Sequence, residues 1–110
     1  MTEMSGSAVV RLATIDALES DDRTVLFGLG LEDPKGIFGT TLGLAEKFGL
    51  DRVFETPTAE AASSGIAIGM AQAGLKPTVI HQRVEFALLG FEQITNQAAK
   101  WRYMTNGEAS

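Results

Sequence analysis

Apolar and polar positions alternate along this chain in two distinct rhythms. Residues 8–20 place Val9, Leu12, Ile15, Ala17 and Leu18 near helical spacing, and Asp21 and Asp22 end the pattern. Residues 24–29 (TVLFGL) form a short continuous apolar run, which predicts a strand buried on both faces. A loop with Pro34 follows. Residues 39–49 predict a helix, with Thr40 or Thr41 as its cap, Leu42, Leu44, Ala45 and Phe48 as its stripe, and Gly49 as its end. Residues 52–55 predict a short strand. Thr56-Pro57 predicts a helix start, threonine capping and proline in the first turn, with the helix running to Ala73 before Gly74 stops it. Residues 77–82 (PTVIHQ) predict another buried strand. Residues 89–104 predict a last helix, with Phe91, Ile94, Ala98 and Trp101 on its apolar side.

Strands alternating with helices predict an α/β fold, a parallel sheet flanked by helices. Ligands in such sheets bind beyond the carboxyl ends of the strands. The loops after Leu29, Glu55 and Ile80 are therefore the places to look for chemistry. The 110 residues suffice for one small domain, here 1–110, with 1–7 expected to lack order.

Composition narrows the chemistry. A net charge of −5 with scattered basic residues is a poor match for nucleic-acid phosphates. The absence of cysteine excludes disulfides, thiolate metal sites and cysteine nucleophiles, and one histidine excludes a multi-histidine metal site. The longest weakly polar stretch, 59–75, contains Glu60, Ser63, Ser64 and Gln72 and falls short of a membrane span of roughly 20 apolar residues. The polar start of the chain lacks a basic-then-apolar signal pattern. The expectation is a soluble cytoplasmic protein that engages neither nucleic acid nor membrane.

Four features carry candidate chemistry. Glu60 opens the helix after Pro57, and the pattern alone favours its simplest role, complementing the helix dipole. In that helix Gly65 and Gly69 stand four apart. Two mid-helix glycines imply a close approach, either of the sheet or of a partner subunit. His81-Gln82-Arg83 ends a strand where a ligand site belongs, yet a lone histidine is more often structural. Gly28-Leu29-Gly30 lacks the third glycine of a dinucleotide loop, and no Walker-type phosphate loop is present.

From Arg52 onward the chain resembles the β subunits of thiamine-diphosphate-dependent 2-oxoacid dehydrogenases, and more broadly the pyrimidine-binding domain they share with transketolases. The residues that carry the resemblance are Arg52, Thr56-Pro57, Glu60, Gly65, Gly69, Gly74-Leu75-Lys76-Pro77, Phe86, Gln93, Asn96 and Ala98-Ala99-Lys100. Upstream, Gly36-Ile37-Phe38, Gly43-Leu44 and Phe48-Gly49 fit without gaps. The resemblance implies that Glu60 hydrogen-bonds a ring nitrogen of the cofactor's aminopyrimidine and favours the imino form that accepts the thiazolium proton. It implies that Phe86 packs on that ring and that Thr58 and Gln82 line its pocket, with His81 beside it. The cofactor is thiamine diphosphate. Its magnesium and diphosphate fall to an α-type subunit or domain, because the family's Gly-Asp-Gly…Asn motif is absent here.

The resemblance covers only the first part of such an enzyme. The expectation is therefore a truncated domain, inactive alone, that exposes apolar surface belonging to subunit interfaces. It would serve decarboxylation of a 2-oxo acid or ketol transfer, and meet a second copy of itself through the Gly65/Gly69 helix. Many family members carry two acidic residues after the first strand, one of them in proton relay between active sites. Leu29 and Gly30 stand there instead. The competing reading is a non-catalytic assembly module that keeps the fold without completing a site.

Overall fold

The computed structural model describes residues 3–109. Helix α1 (Gly6–Ser20) leads into strand β1 (Thr24–Gly28). A short 3-10 turn (Ile37–Gly39) precedes α2 (Leu44–Phe48) and β2 (Val53–Glu55). Then come α3 (Glu60–Gln72), β3 (Lys76–Ile80), α4 (Val84–Ala87), a second 3-10 turn (Leu88–Gly90), a π-helical stretch (Gln93–Ala98) and α5 (Ala99–Met104). The three strands form one parallel sheet in the order β2-β1-β3. This is the α/β architecture the alternation predicts.

β1 is the central strand, and all five of its residues are buried. Around it Leu18, Val25, Leu26, Phe27, Leu31, Leu44 and Val53 form the core. The rings of Phe27 and Phe54 stack at 5.4 Å, joining β1 to β2. Register runs Leu26 opposite Val53 on one side and Thr24 opposite Lys76 on the other. At its carboxyl end β1 pairs with both neighbours through one residue, Gly28, opposite Glu55 and Ile80. Gly28 has φ +147°, and a Cβ there would run into the Ile80 carbonyl, with Ile80 N only 2.9 Å away. No other residue fits this approach without separating the strands.

The amino ends of the strands are held by charge. Arg52 donates to three carbonyls, Leu18 O at 2.7 Å, Asp21 O at 2.9 Å and Thr24 O at 3.1 Å. It thereby satisfies the exposed end of α1 and fixes the turn into β1. Asp21 accepts from Arg23 N, Nε and Nη2 and from Lys76 Nζ at 2.7 Å. The Arg23 guanidinium first, and then Lys76, hold the Asp21 carboxyl well below the usual carboxylate range.

Several expected elements differ in detail. α2 covers only part of 39–49, because Gly43 sits at its start in a left-handed conformation (φ +73°). Neither Thr40 nor Thr41 caps it: Thr40 Oγ1 donates to Ile37 O, and Thr41 is buried with its hydroxyl unpaired. Gly49 does end the helix, at φ +81°. Thr56 and Pro57 lie before α3, not in it. The backbone N of Thr56 donates to Gly28 O at 2.9 Å and stays with the sheet, as a residue before proline prefers extended backbone. α3 starts at Glu60 without a side-chain cap.

β3 is an edge strand, so Lys76 and Thr78 are exposed and the run is not buried on both faces. The last helical run begins earlier than residue 89 and changes pitch within it. Its apolar residues are not covered: Phe91 and Ile94 are exposed, as are Val84 (78%), Leu89 (63%) and Tyr103 (90%). Of the first seven residues, Met1 and Thr2 lie outside the described residues. Ser5 caps α1 by accepting from Ala8 N, and Gly6 and Ser7 form its first turn. No helix among the described residues is long and apolar enough to cross a membrane.

Two outcomes follow for stability. Gly28→Ala should lower the urea unfolding midpoint strongly, by about 2 kcal/mol or more in free energy, since it combines a disfavoured φ with a backbone clash. Asp21 has a depressed pKa in the folded chain, so its contribution is present above its unfolded value of about 4 and is lost as the pH falls through the folded one. The stability advantage of the parent over Asp21→Asn should therefore be full at pH 7 and shrink below about pH 4, measured by urea titration at each pH.

Candidate functional site at the carboxyl ends of the strands

The carboxyl ends of all three strands border one narrow cleft. Gly28 and Leu29 reach it from β1, Thr56, Pro57 and Ala59 from the loop after β2, Glu60 and Ser63 from α3, and Ile80 and His81 from β3. Its volume is about 10 Å³, room for about one water molecule. Parallel pairing dictates the convergence, since every crossover returns the chain to the same edge. The loop after β1 is tied across this edge, where Glu32 N donates to Glu55 Oε2 at 3.1 Å.

Glu60 is the first residue of α3 and is only 8% exposed. Its carboxylate makes no side-chain hydrogen bond or ion pair among the described residues. Complementing the helix dipole does not require burial, since an exposed glutamate in the first turn does the same. The Glu60 carboxylate oxygens are not among the buried side-chain atoms without a partner, so they keep access to solvent along the cleft.

Of the other expected site residues, His81 lines the cleft, and Thr58, Gln82 and Phe86 do not. Thr58 is exposed, between the lining residues Pro57 and Ala59. Gln82 is exposed and follows His81; its Nε2 lies 3.1 Å from where a Cβ on Gly30 would stand, so it lies across the loop after β1. Phe86 is half-buried on α4. His81 is half-buried and lines the cleft directly. Thr56 and Leu29 are lining residues that sequence reasoning assigned elsewhere, Thr56 to a helix cap. The proline after Thr56 was the available signal, because it keeps Thr56 extended at the sheet edge.

One backbone contact sets the distance between Phe86's segment and Glu60's helix. Gly90 presses on α3: a Cβ there would run into Ser64 Oγ and lie 3.1 Å from Ser64 Cβ and 3.2 Å from Glu60 O. By contrast, Gly65 and Gly69 do not pack on the sheet. Gly69 has nothing within 4 Å of a built Cβ, and the nearest atom to Gly65 is Gln93 Cγ at 3.8 Å. The two glycines instead line an open groove of about 240 Å³ with Ile68, Gln72, Gln97 and Trp101. Among the described residues no group of three or more His, Cys, Asp or Glu could hold a metal ion.

A parallel sheet whose strand ends border one crevice is the α/β arrangement in which ligands generally bind at that edge. Residues 2–107 match the model of the transketolase pyrimidine-binding domain, and the chain belongs to that family. It is 40% identical over 99 residues to the 3-methyl-2-oxobutanoate dehydrogenase subunit beta of Mycobacterium tuberculosis, covering 90% of this chain and 28% of that protein. It is 37% identical over 110 residues to the 2-oxoisovalerate dehydrogenase subunit beta of Bacillus subtilis, covering 100% of this chain and 34% of that one. With the pyruvate dehydrogenase E1 component subunit beta of Rickettsia felis, identity is 39% over 104 residues, 91% of this chain and 32% of the relative. The chain thus spans about a third of the length of these curated relatives.

Gly90→Val should push α3 and the following helical run apart. The expected loss is about 1–3 kcal/mol of stability, checked by denaturant unfolding. An unchanged midpoint would show that the contact is looser than the geometry indicates.

Proposed function

We propose that this chain is the pyrimidine-binding part of a thiamine-diphosphate-dependent 2-oxoacid dehydrogenase, acting as a β-subunit-like component. The place of Glu60, a largely buried residue lining the strand-end cleft, carries the reading. Family membership and the dehydrogenase β subunits among its relatives support it. The residues present fit one end of the cofactor. An acid at a narrow cleft suits a ring nitrogen that must share a proton, and Leu29, Pro57 and Ile80 supply apolar walls. The cleft is too small to enclose a ring, so it meets an edge, with Thr58, Gln82 and Phe86 contributing around it. A partner must close the other side.

When bound, thiamine diphosphate supplies the carbanion chemistry that a protein side chain lacks. Glu60 would share a proton with the ring nitrogen through its carboxylate and orient the ring edge, and its place in the first turn of α3 among the lining residues sets where that carboxylate stands. The diphosphate and its magnesium belong, in this proposal, to an α-type subunit or domain, and the reaction is decarboxylation of a 2-oxo acid, with ketol transfer the alternative within the same family. The component is inactive without that partner and works in the cytoplasm.

The uncovered Gly65/Gly69 groove supports a contact with a second copy of the chain. The same groove, together with the exposed apolar residues of the last helical run, favours the second reading, an assembly module that completes no site.

Co-expression with an α-type subunit separates the two. With thiamine diphosphate and magnesium, the pair should decarboxylate a 2-oxo acid, and Glu60→Gln should reduce turnover about 100-fold or more while leaving the unfolding midpoint unchanged or higher. Equal turnover in Glu60→Gln and parent would remove Glu60 from the chemistry. An inactive pair that still assembles would favour the module.

A further inference from the structure

We propose that the Thr56 hydroxyl is a second polar contact for the occupant of the Glu60 cleft, a positioning group kept for the ligand and not for the fold. The proposal rests on the thiamine reading above.

Four side-chain atoms are buried without a hydrogen-bond partner among the described residues: Thr41 Oγ1, Thr56 Oγ1, Ser64 Oγ and Gln93 Oε1. Folded proteins keep few such atoms, because a polar group taken from water and given nothing in return destabilises the chain. Three of the four lie away from the strand-end cleft. Thr41 precedes α2, Ser64 is pressed by Gly90, and Gln93 lies beside Gly65. Thr56 alone of the four belongs to a residue lining the cleft, where it stands with Glu60. Its backbone N–H is already committed to Gly28 O, which pins the residue at the sheet edge. The main chain of Thr56 is held at the sheet edge, while its hydroxyl has no partner among the described residues.

The two groups complement each other. An ionised carboxylate only accepts hydrogen bonds, while a threonine hydroxyl both donates and accepts. An aminopyrimidine presents ring nitrogens that accept and an amino group that donates. Glu60 alone can serve the protonated or donating part of such an edge. Thr56 adds the donor that an unprotonated ring nitrogen needs, or a further acceptor for the amino group. With apolar Leu29, Pro57 and Ile80 around them, each bond would form away from competing water.

Thr56→Val removes the hydroxyl and keeps the shape, and Thr56→Ser keeps the hydroxyl. The urea unfolding midpoint of the full chain should be unchanged or raised in Thr56→Val. In the assembly with its α-type partner, binding of thiamine diphosphate with magnesium, measured by calorimetry, should weaken about tenfold in Thr56→Val, the equivalent of one hydrogen bond, and stay near the parent value in Thr56→Ser. A lowered midpoint in Thr56→Val would assign the hydroxyl to the fold and overturn the inference. So would cofactor binding as tight as the parent's, which leaves the thiamine reading intact. A parent assembly that binds no thiamine diphosphate would sink that reading and this inference together.

Discussion

The structure depends on β1 pairing in parallel with strands on both sides and reaching its last residue without a side chain. Gly28 admits Ile80 at backbone distance on one side and keeps Glu55 in register on the other. Parallel strands must be linked by crossovers, so three loops emerge at one edge and none can avoid the others. The cleft is the place where those loops fail to fill the edge completely. Its contents were then decided by residues within one to five positions of a strand end, namely Leu29, Thr56, Pro57, Ala59, Glu60 and His81, with Ser63 one turn into α3.

The two ends of the sheet are built on different physics. At the amino edge charges are paired with one another and with carbonyls. Arg52 spends its guanidinium on three carbonyls, and Asp21 draws in Arg23 and Lys76. At the carboxyl edge the Thr56 hydroxyl is buried and unpaired among the described residues, beside the largely buried residue Glu60. Stability concentrated at one end offsets polar groups left idle at the other, a division expected where a site must stay ready for a ligand. Leu29 and Gly30, where many family members carry acids, sharpen this contrast. Leu29 turns that part of the wall apolar, and Glu60 is left as the only carboxylate lining the cleft.

Sequence periodicity made the order of helices and strands legible, because buried strands and amphipathic helices obey different spacings. It could not show which strand lay at the edge. PTVIHQ reads like TVLFGL, and only the pairing order β2-β1-β3 exposes one and buries the other. Positions of helix ends were misread where glycine intervened. Gly43 in a left-handed conformation cut short a helix that composition alone would have begun at residue 39. Glu60 stood out by its motif, and its burial is a property of the packed edge that no local pattern carries. The roles of Thr58, Gln82 and Phe86 came from resemblance, and none of the three lines Glu60's cleft.

The seat of Gly90 on Ser64 and Glu60 O has a mechanical consequence. The Ser64 side chain is what stands between the turn at Gly90 and α3, and the turn has no room for even a methyl group of its own. Any larger group at that point would have to part the acid-bearing helix from the helical run behind it.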